Sequence, residues 1–192
     1  MAGHFEALPG GGAAVPLDEV EISILRSLAV QLLELIGPGD EPVEGEDPLA
    51  ALFAEGPTEP PSDPALRRLF PDAYADDDEE LRAAAADFRR FTEKDLRARK
   101  RDDALTVVRT LDALTASGEG GAVLKLTAEE SRSWLGALND LRLTIGTRLD
   151  VSDEDEGGDL YRLPDEDPRK PMVMAYLWLG ALQETLVETL MP

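Results

Sequence analysis

A mainly α-helical single domain, with about five to seven helices and a small β-hairpin or three-stranded β element, is the fold class that this sequence predicts. Three observations predict it. Hydrophobic residues make up 43% of the 192-residue chain but aromatics only 5%, so Leu and Ala must fill the core, and both are strong helix formers. Two segments open with the Asp/Thr-x-x-Glu signature of a helix start and continue with apolar residues at helical spacing. Two short apolar stretches flank a glycine cluster, and a third alternates between polar and apolar, as strands and turns do. A chain of this length can bury one real core, so residues 1–192 are expected to form one domain.

The elements follow in order. Residues 3–8 and 13–17 bracket Pro9-Gly10-Gly11-Gly12 and predict a hairpin. Asp18 and Glu21 form a capping box for a helix in which Ile22, Leu25, Leu28, Leu32 and Leu35 recur on one side until Gly37-Pro38 stops it. Residues 37–64 hold seven of the fourteen prolines and eight acids without a base. That composition predicts an acidic, Pro-rich mobile loop with one short helix at 48–53. Asp63-Pro64 starts a short helix through Phe70, and the acidic run 76–80 suits the N-terminus of the next one.

In that next helix Leu81, Ala84, Ala85, Phe88, Phe91 and Leu96 share a face, whereas Ala104, Val107, Val108, Leu111 and Leu114 share another, rotated by more than a quarter turn. The rotation predicts a break or kink near Asp102-Asp103. Residues 122–126 alternate and predict a strand that joins the hairpin. Thr127 and Glu130 box the start of a helix with Trp134, Leu138, Leu141, Ile145 and Leu149 as its apolar stripe. Residues 150–168 form an acidic linker before a C-terminal helix from about 171 to 190. That helix is apolar on nearly all sides at first and is expected to be the central helix of the core.

Composition excludes several chemistries. The chain has no cysteine and a single histidine, His4, so disulfides, thiolate metal sites, thiol redox sensing and His-based nucleophile activation are closed to it. The acidic run 153–159 resembles a calcium loop, yet the bidentate position is occupied by Pro164. No phosphate-cradling glycine motif is present. No cofactor and no enzymatic activity are expected. The longest apolar run, 172–182, falls short of the roughly 20 residues that a membrane helix needs. The first residues carry neither the basic nor the apolar part of a secretory signal, so the expected location is cytoplasmic, with no membrane partner.

Against a net charge of -21, residues 87–101 (DFRRFTEKDLRARKR) form a basic island. On a helix Arg82, Arg89, Arg90, Lys94, Arg97, Lys100 and Arg101 fall within an arc of about 140°, opposite the apolar side, as a stripe able to follow a phosphate backbone. The alternative is that these cations pair with the protein's own surplus acids, such as the 37–64 loop or the 153–167 linker. Phe88 and Phe91 lie on the apolar side and are read as anchors of the helix, so single-strand stacking is not supported. Arg142 interrupts the stripe of the fourth long segment and, if buried, calls for a carboxylate partner. Trp134 and Trp178 are read as core residues, with interface anchors as the alternative.

The segments EVEISILRSLAVQLLELI, DPALRRLFPDAY, FRRFTEKDLRARKRDDAL, WLGALNDLRLTIGTRL and YLWLGALQETLV together resemble an actinobacterial domain-of-unknown-function family that includes the oxidative-stress transcriptional regulator AosR. The resemblance covers almost the whole chain. It implies a cytoplasmic, non-enzymatic protein of gene control linked to oxidative stress and sulfur metabolism, and it brings no catalytic residue. Without cysteine, thiol-based sensing cannot operate in this chain itself. The expectation is therefore a regulatory binding protein. Its contacts to DNA or a partner would run through Arg89, Arg90, Lys94, Arg97, Lys100 and Arg101, and its partners would be transcription machinery or another regulatory protein. A protein-only adaptor is the alternative, and a homodimer is compatible with either. No segment shows a helix-turn-helix pattern.

Overall fold

The hairpin forms because glycine sits where only glycine is comfortable. In the computed structural model Gly10 and Gly11 have φ of 98° and 88°, a region that costs other residues steric strain. They join β1 (Glu6–Leu8) to β2 (Gly12–Leu17). These strands are antiparallel with Glu6 opposite Ala14, and β3 (Ala122–Leu126) pairs antiparallel on the other edge of β2, with Ala13 opposite Leu126. In β3, Ala122, Leu124 and Leu126 are buried while Val123 and Lys125 face out. This period of two places one face of the sheet on the core.

The structure describes residues 3–38, 56–74, 78–114, 121–151 and 162–191. The expected short helix at 48–53 and the acidic run at 153–159 lie outside them. The described residues form five helices, three between β2 and β3 and two after β3: α1 (Glu19–Ile36), α2 (Pro64–Leu69), α3 (Glu79–Asp112), α4 (Ala128–Arg148) and α5 (Lys170–Leu190). The two capping boxes are formed, with Asp18 and Glu21 serving α1 and Thr127 and Glu130 serving α4. Asp63 accepts from the amides of Ala65 and Leu66 to start α2, and Asp78 caps α3 with Glu79 and Glu80 in its first turn.

The helix at the centre is α4, not α5. It touches all four other helices and strands β2 and β3. Its Trp134 is fully buried, donates Nε1–H to Thr110 Oγ at 2.9 Å, and meets the Phe5 ring edge-on at 6.1 Å. By contrast α5 packs on α4 and the hairpin from one side, with Met172 and Met174 exposed. Its all-round apolar composition reflects Ala and Met on a half-open face rather than full enclosure. Trp178 is accordingly half-buried.

The expected break at Asp102-Asp103 does not occur, and α3 runs unbroken for 34 residues. Its buried residues are Ala85, Arg89, Glu93, Ala104, Val107 and Leu111. At 3.6 residues per turn these fall on one continuous arc of about 100°. The inward face does not rotate; its chemistry changes from ionic to apolar along the helix.

Candidate functional site: the basic segment of helix α3

Helix ends leave backbone carbonyls without intrahelical partners, and cations near them are favoured by the helix dipole. The last turn of α1 contains no base. Helix α3 supplies what is missing: Arg97 donates Nη1–H to the carbonyl of Ile36, and Arg101 donates Nη1–H to that of Gly37. Similarly, Arg89 Nη2 donates to the carbonyl of Phe70 at the end of α2, at 3.0 Å. Three arginines of the basic island thus terminate two neighbouring helices.

One carboxylate holds this set together. Glu93, 4% exposed, accepts from Arg89 Nη1 through Oε2 and from Arg97 Nη2 at 2.7 Å through Oε1. Arg89 is equally buried and reaches Asp72 at 2.9 Å as well. Desolvation opposes the charge on Arg89, but the hydrogen bonds to Asp72 and Glu93 outweigh it and raise its pKa. The Arg97 guanidinium lies 4.4 Å from the centre of the Phe70 ring, a cation–π contact. Lys100 pairs with Asp140 of α4 at 2.6 Å.

This geometry corrects the expectation of an outward stripe free of internal carboxylates. Arg89, Arg97, Lys100 and Arg101 are all engaged inside the fold. Among the described residues, the acids that engage them are Glu93, Asp72 and Asp140; most of the acids of the 37–64 loop and the 153–167 linker lie outside those residues. Arg90 and Lys94 are half-buried on the flank, and Arg90 lies 3.6 Å from Asp87. Spacing alone contained part of the signal, because Arg89, Glu93 and Arg97 stand four residues apart. What sequence could not show was that this row points inward.

With the ions inside, the aromatic residues are outside. Phe88 is 51% exposed, Phe91 67% and Leu81 39%, and with Ala84 they occupy one arc of about 80° on the solvent side. Phe88 and Phe91 therefore do not anchor the helix. They form an apolar ridge on the surface of an acidic protein. Singly exposed apolar residues are ordinary, but aromatic residues aligned along one helix face are the composition of a protein contact.

Between α3 and α4 lies a groove of about 410 Å³ that includes Asp103 and Asp140. Burial raises the pKa of both carboxyls: Ser133 and Lys100 respectively work against it, and the nearby Asp140 charge adds to it for Asp103. A desolvated carboxylate pair is what acid–base chemistry would require, yet each member already has a partner here. We read it as a polar seam between two helices. A carboxyl whose folded pKa lies above its unfolded value destabilises the fold at neutral pH, and this penalty is relieved as pH falls through the folded value. Asp103→Asn is therefore expected to raise the urea midpoint at pH 7. It should also shrink the stability gained by wild type on acidification toward the ordinary carboxylate pKa of about 3.9.

Arg142 finds no carboxylate among the described residues; its Nη1 donates to Gln183 Oε1 at 2.7 Å, and its guanidinium stands 5.2 Å from the centre of the Tyr176 ring. A neutral amide and an aromatic face thus replace the expected ion pair. Among the described residues, no group of three or more His, Cys, Asp or Glu could hold a metal ion, and no helix is long and apolar enough to cross a membrane.

Comparison with known proteins adds the context that geometry lacks. The model of the family described as domain of unknown function (DUF2017) matches residues 2–190. The chain is 30% identical over 176 residues to the oxidative stress regulator AosR of Mycobacterium bovis and of Mycobacterium tuberculosis, covering 89% of this chain and 78% of each relative. It is 32% identical over 182 residues to a protein named putative oxidative stress regulator AosR of Mycobacterium leprae, covering 89% and 79%. No solved structure matches the chain.

Proposed function

The chain belongs to the DUF2017 family, and from that membership and the regulator names of its relatives we propose that it is a non-enzymatic regulator of the oxidative-stress response, acting by contact with another regulatory protein. The observation that carries the reading is the inversion of α3, which places Phe88 and Phe91 in solvent and the guanidinium groups of Arg89 and Arg97 in the interior. Phosphate binding needs cations that can approach a backbone and release counterions. Cations already bonded to helix-end carbonyls and buried carboxylates serve that purpose poorly. An exposed aromatic ridge suits a protein groove, where Phe supplies large area at low ordering cost.

The protein is cysteine-free, so the oxidative signal reaches it through the partner rather than through its own thiols. A photo-crosslinking residue at position 91 tests the proposal. It should capture one transcription-associated protein in cells exposed to peroxide, while the purified protein should bind promoter DNA no better than unrelated DNA. Specific DNA retention that falls steeply with salt, without a crosslinked protein, would overturn it.

A further inference from the structure

Arg142 sits on α4, a helix that otherwise turns Leu138, Leu141 and Ile145 into the core. A guanidinium in such surroundings needs compensation, because an uncompensated charge away from water is costly. Arg89, Arg97 and Lys100 each have a carboxylate within the fold. Among the described residues Arg142 has the Gln183 amide and the Tyr176 ring but no carboxylate, and its Nε is buried with no hydrogen-bond partner. The group is nevertheless held in place. A Cβ at Gly180 would lie 3.4 Å from Arg142 Nε, and one at Gly146 would lie 3.2 Å from Tyr176 Cε2. Glycine at these two places lets the guanidinium lie along α5 and the Tyr176 ring close under it.

This fixed cation borders a cavity of about 550 Å³ between α2, α4 and α5, which Arg68 also lines. Among the described residues neither Arg68 nor Arg142 forms an ion pair. Among the described residues Asp150 is the single carboxylate of the lining, so with the two arginines the described lining carries a net charge of +1. Leu143 and Val151 provide an apolar wall. The volume falls within the range of roughly 300–1,000 Å³ typical of small-molecule sites.

We propose that this cavity binds a small organic oxyanion, a carboxylate or phosphate monoester with an apolar body, whose charged head is received by Arg142 and Arg68. The proposal goes beyond the regulatory reading and does not depend on the α3 ridge. Arginine suits the task because its planar donors match two oxygens at once. The ligand's charge completes the ion pair that the fold leaves open at Arg142, and its body covers Leu143 and Val151.

Isothermal titration with benzoate and with phenyl phosphate, at fixed ionic strength, tests this on the full chain. At least one should bind at a single site with a Kd tighter than about 1 mM, and which one does so identifies the headgroup. Arg142→Gln should weaken that binding at least tenfold while circular dichroism stays unchanged. Should Arg142→Gln not fold, the exposed Arg68→Gln decides in its place, and affinity equal to wild type overturns the site. Failure of both probes to saturate overturns it as well, and so does retention of full affinity by a folded Arg142→Gln.

Discussion

Glu93→Gln is expected to destabilise the protein by about 3–5 kcal/mol, the cost of removing one partner from a buried charge network. The expectation rests on what Glu93 holds. Its two oxygens receive Arg89 and Arg97, whose other donors reach the carbonyls at the ends of α2 and α1. Neutralising it leaves Arg97 with no carboxylate among the described residues and Arg89 with Asp72 alone, which is 41% exposed along its side chain and so screened by water. Asp72→Asn should accordingly cost less than about 1 kcal/mol. Urea denaturation, with slopes compared to exclude a change in the unfolded state, reads both. A loss under about 1 kcal/mol for Glu93→Gln would mean that the arginines are not held by the fold, and would return them to the list of candidate DNA contacts.

The same network explains which parts of the molecule the sequence reveals. Capping boxes are local, involving residues three apart, so the starts of α1 and α4 are legible from Asp18-x-x-Glu21 and Thr127-x-x-Glu130 alone. The three strands are legible because their turn is built from Gly10 and Gly11 and their alternation is intact. Helix α3 defeats the same reasoning. Apolar periodicity reports the buried face only while burial is apolar, and in the first half of α3 the buried positions after Ala85 are Arg89 and Glu93.

The outward residues Leu81, Phe88 and Phe91 then take the part of a core stripe, and the shift to Ala104 and Val107 looks like a break where the helix runs on. The choice of α4 over α5 as the hub fails for a related reason. Composition shows how apolar a helix is, not how many neighbours enclose it. The candidate site was legible as a location, since residues 87–101 do hold the feature that distinguishes this chain. Its orientation was not, because the partners of Arg97 and Arg101 are backbone carbonyls of Ile36 and Gly37, some sixty residues away and invisible to side-chain patterns.

The double substitution Phe88→Ser with Phe91→Ser separates the ridge from the fold. Both rings already face water, so stability should change by no more than about 0.5 kcal/mol. Docking would remove roughly 100–130 Å² of each ring from solvent, given a side chain of about 200 Å² and the exposures of 51% and 67%. At about 25 cal/mol per Å² the pair contributes about 6 kcal/mol, and half of that after ordering costs is still a loss of roughly 150-fold in affinity. A cell carrying this variant at normal abundance should therefore survive peroxide no better than one lacking the gene. Val20→Ser, which alters a 65% exposed residue on α1 away from the ridge, should leave survival intact. Full peroxide survival with both phenylalanines gone would remove α3 from the interface, and the regulatory role would then need another surface.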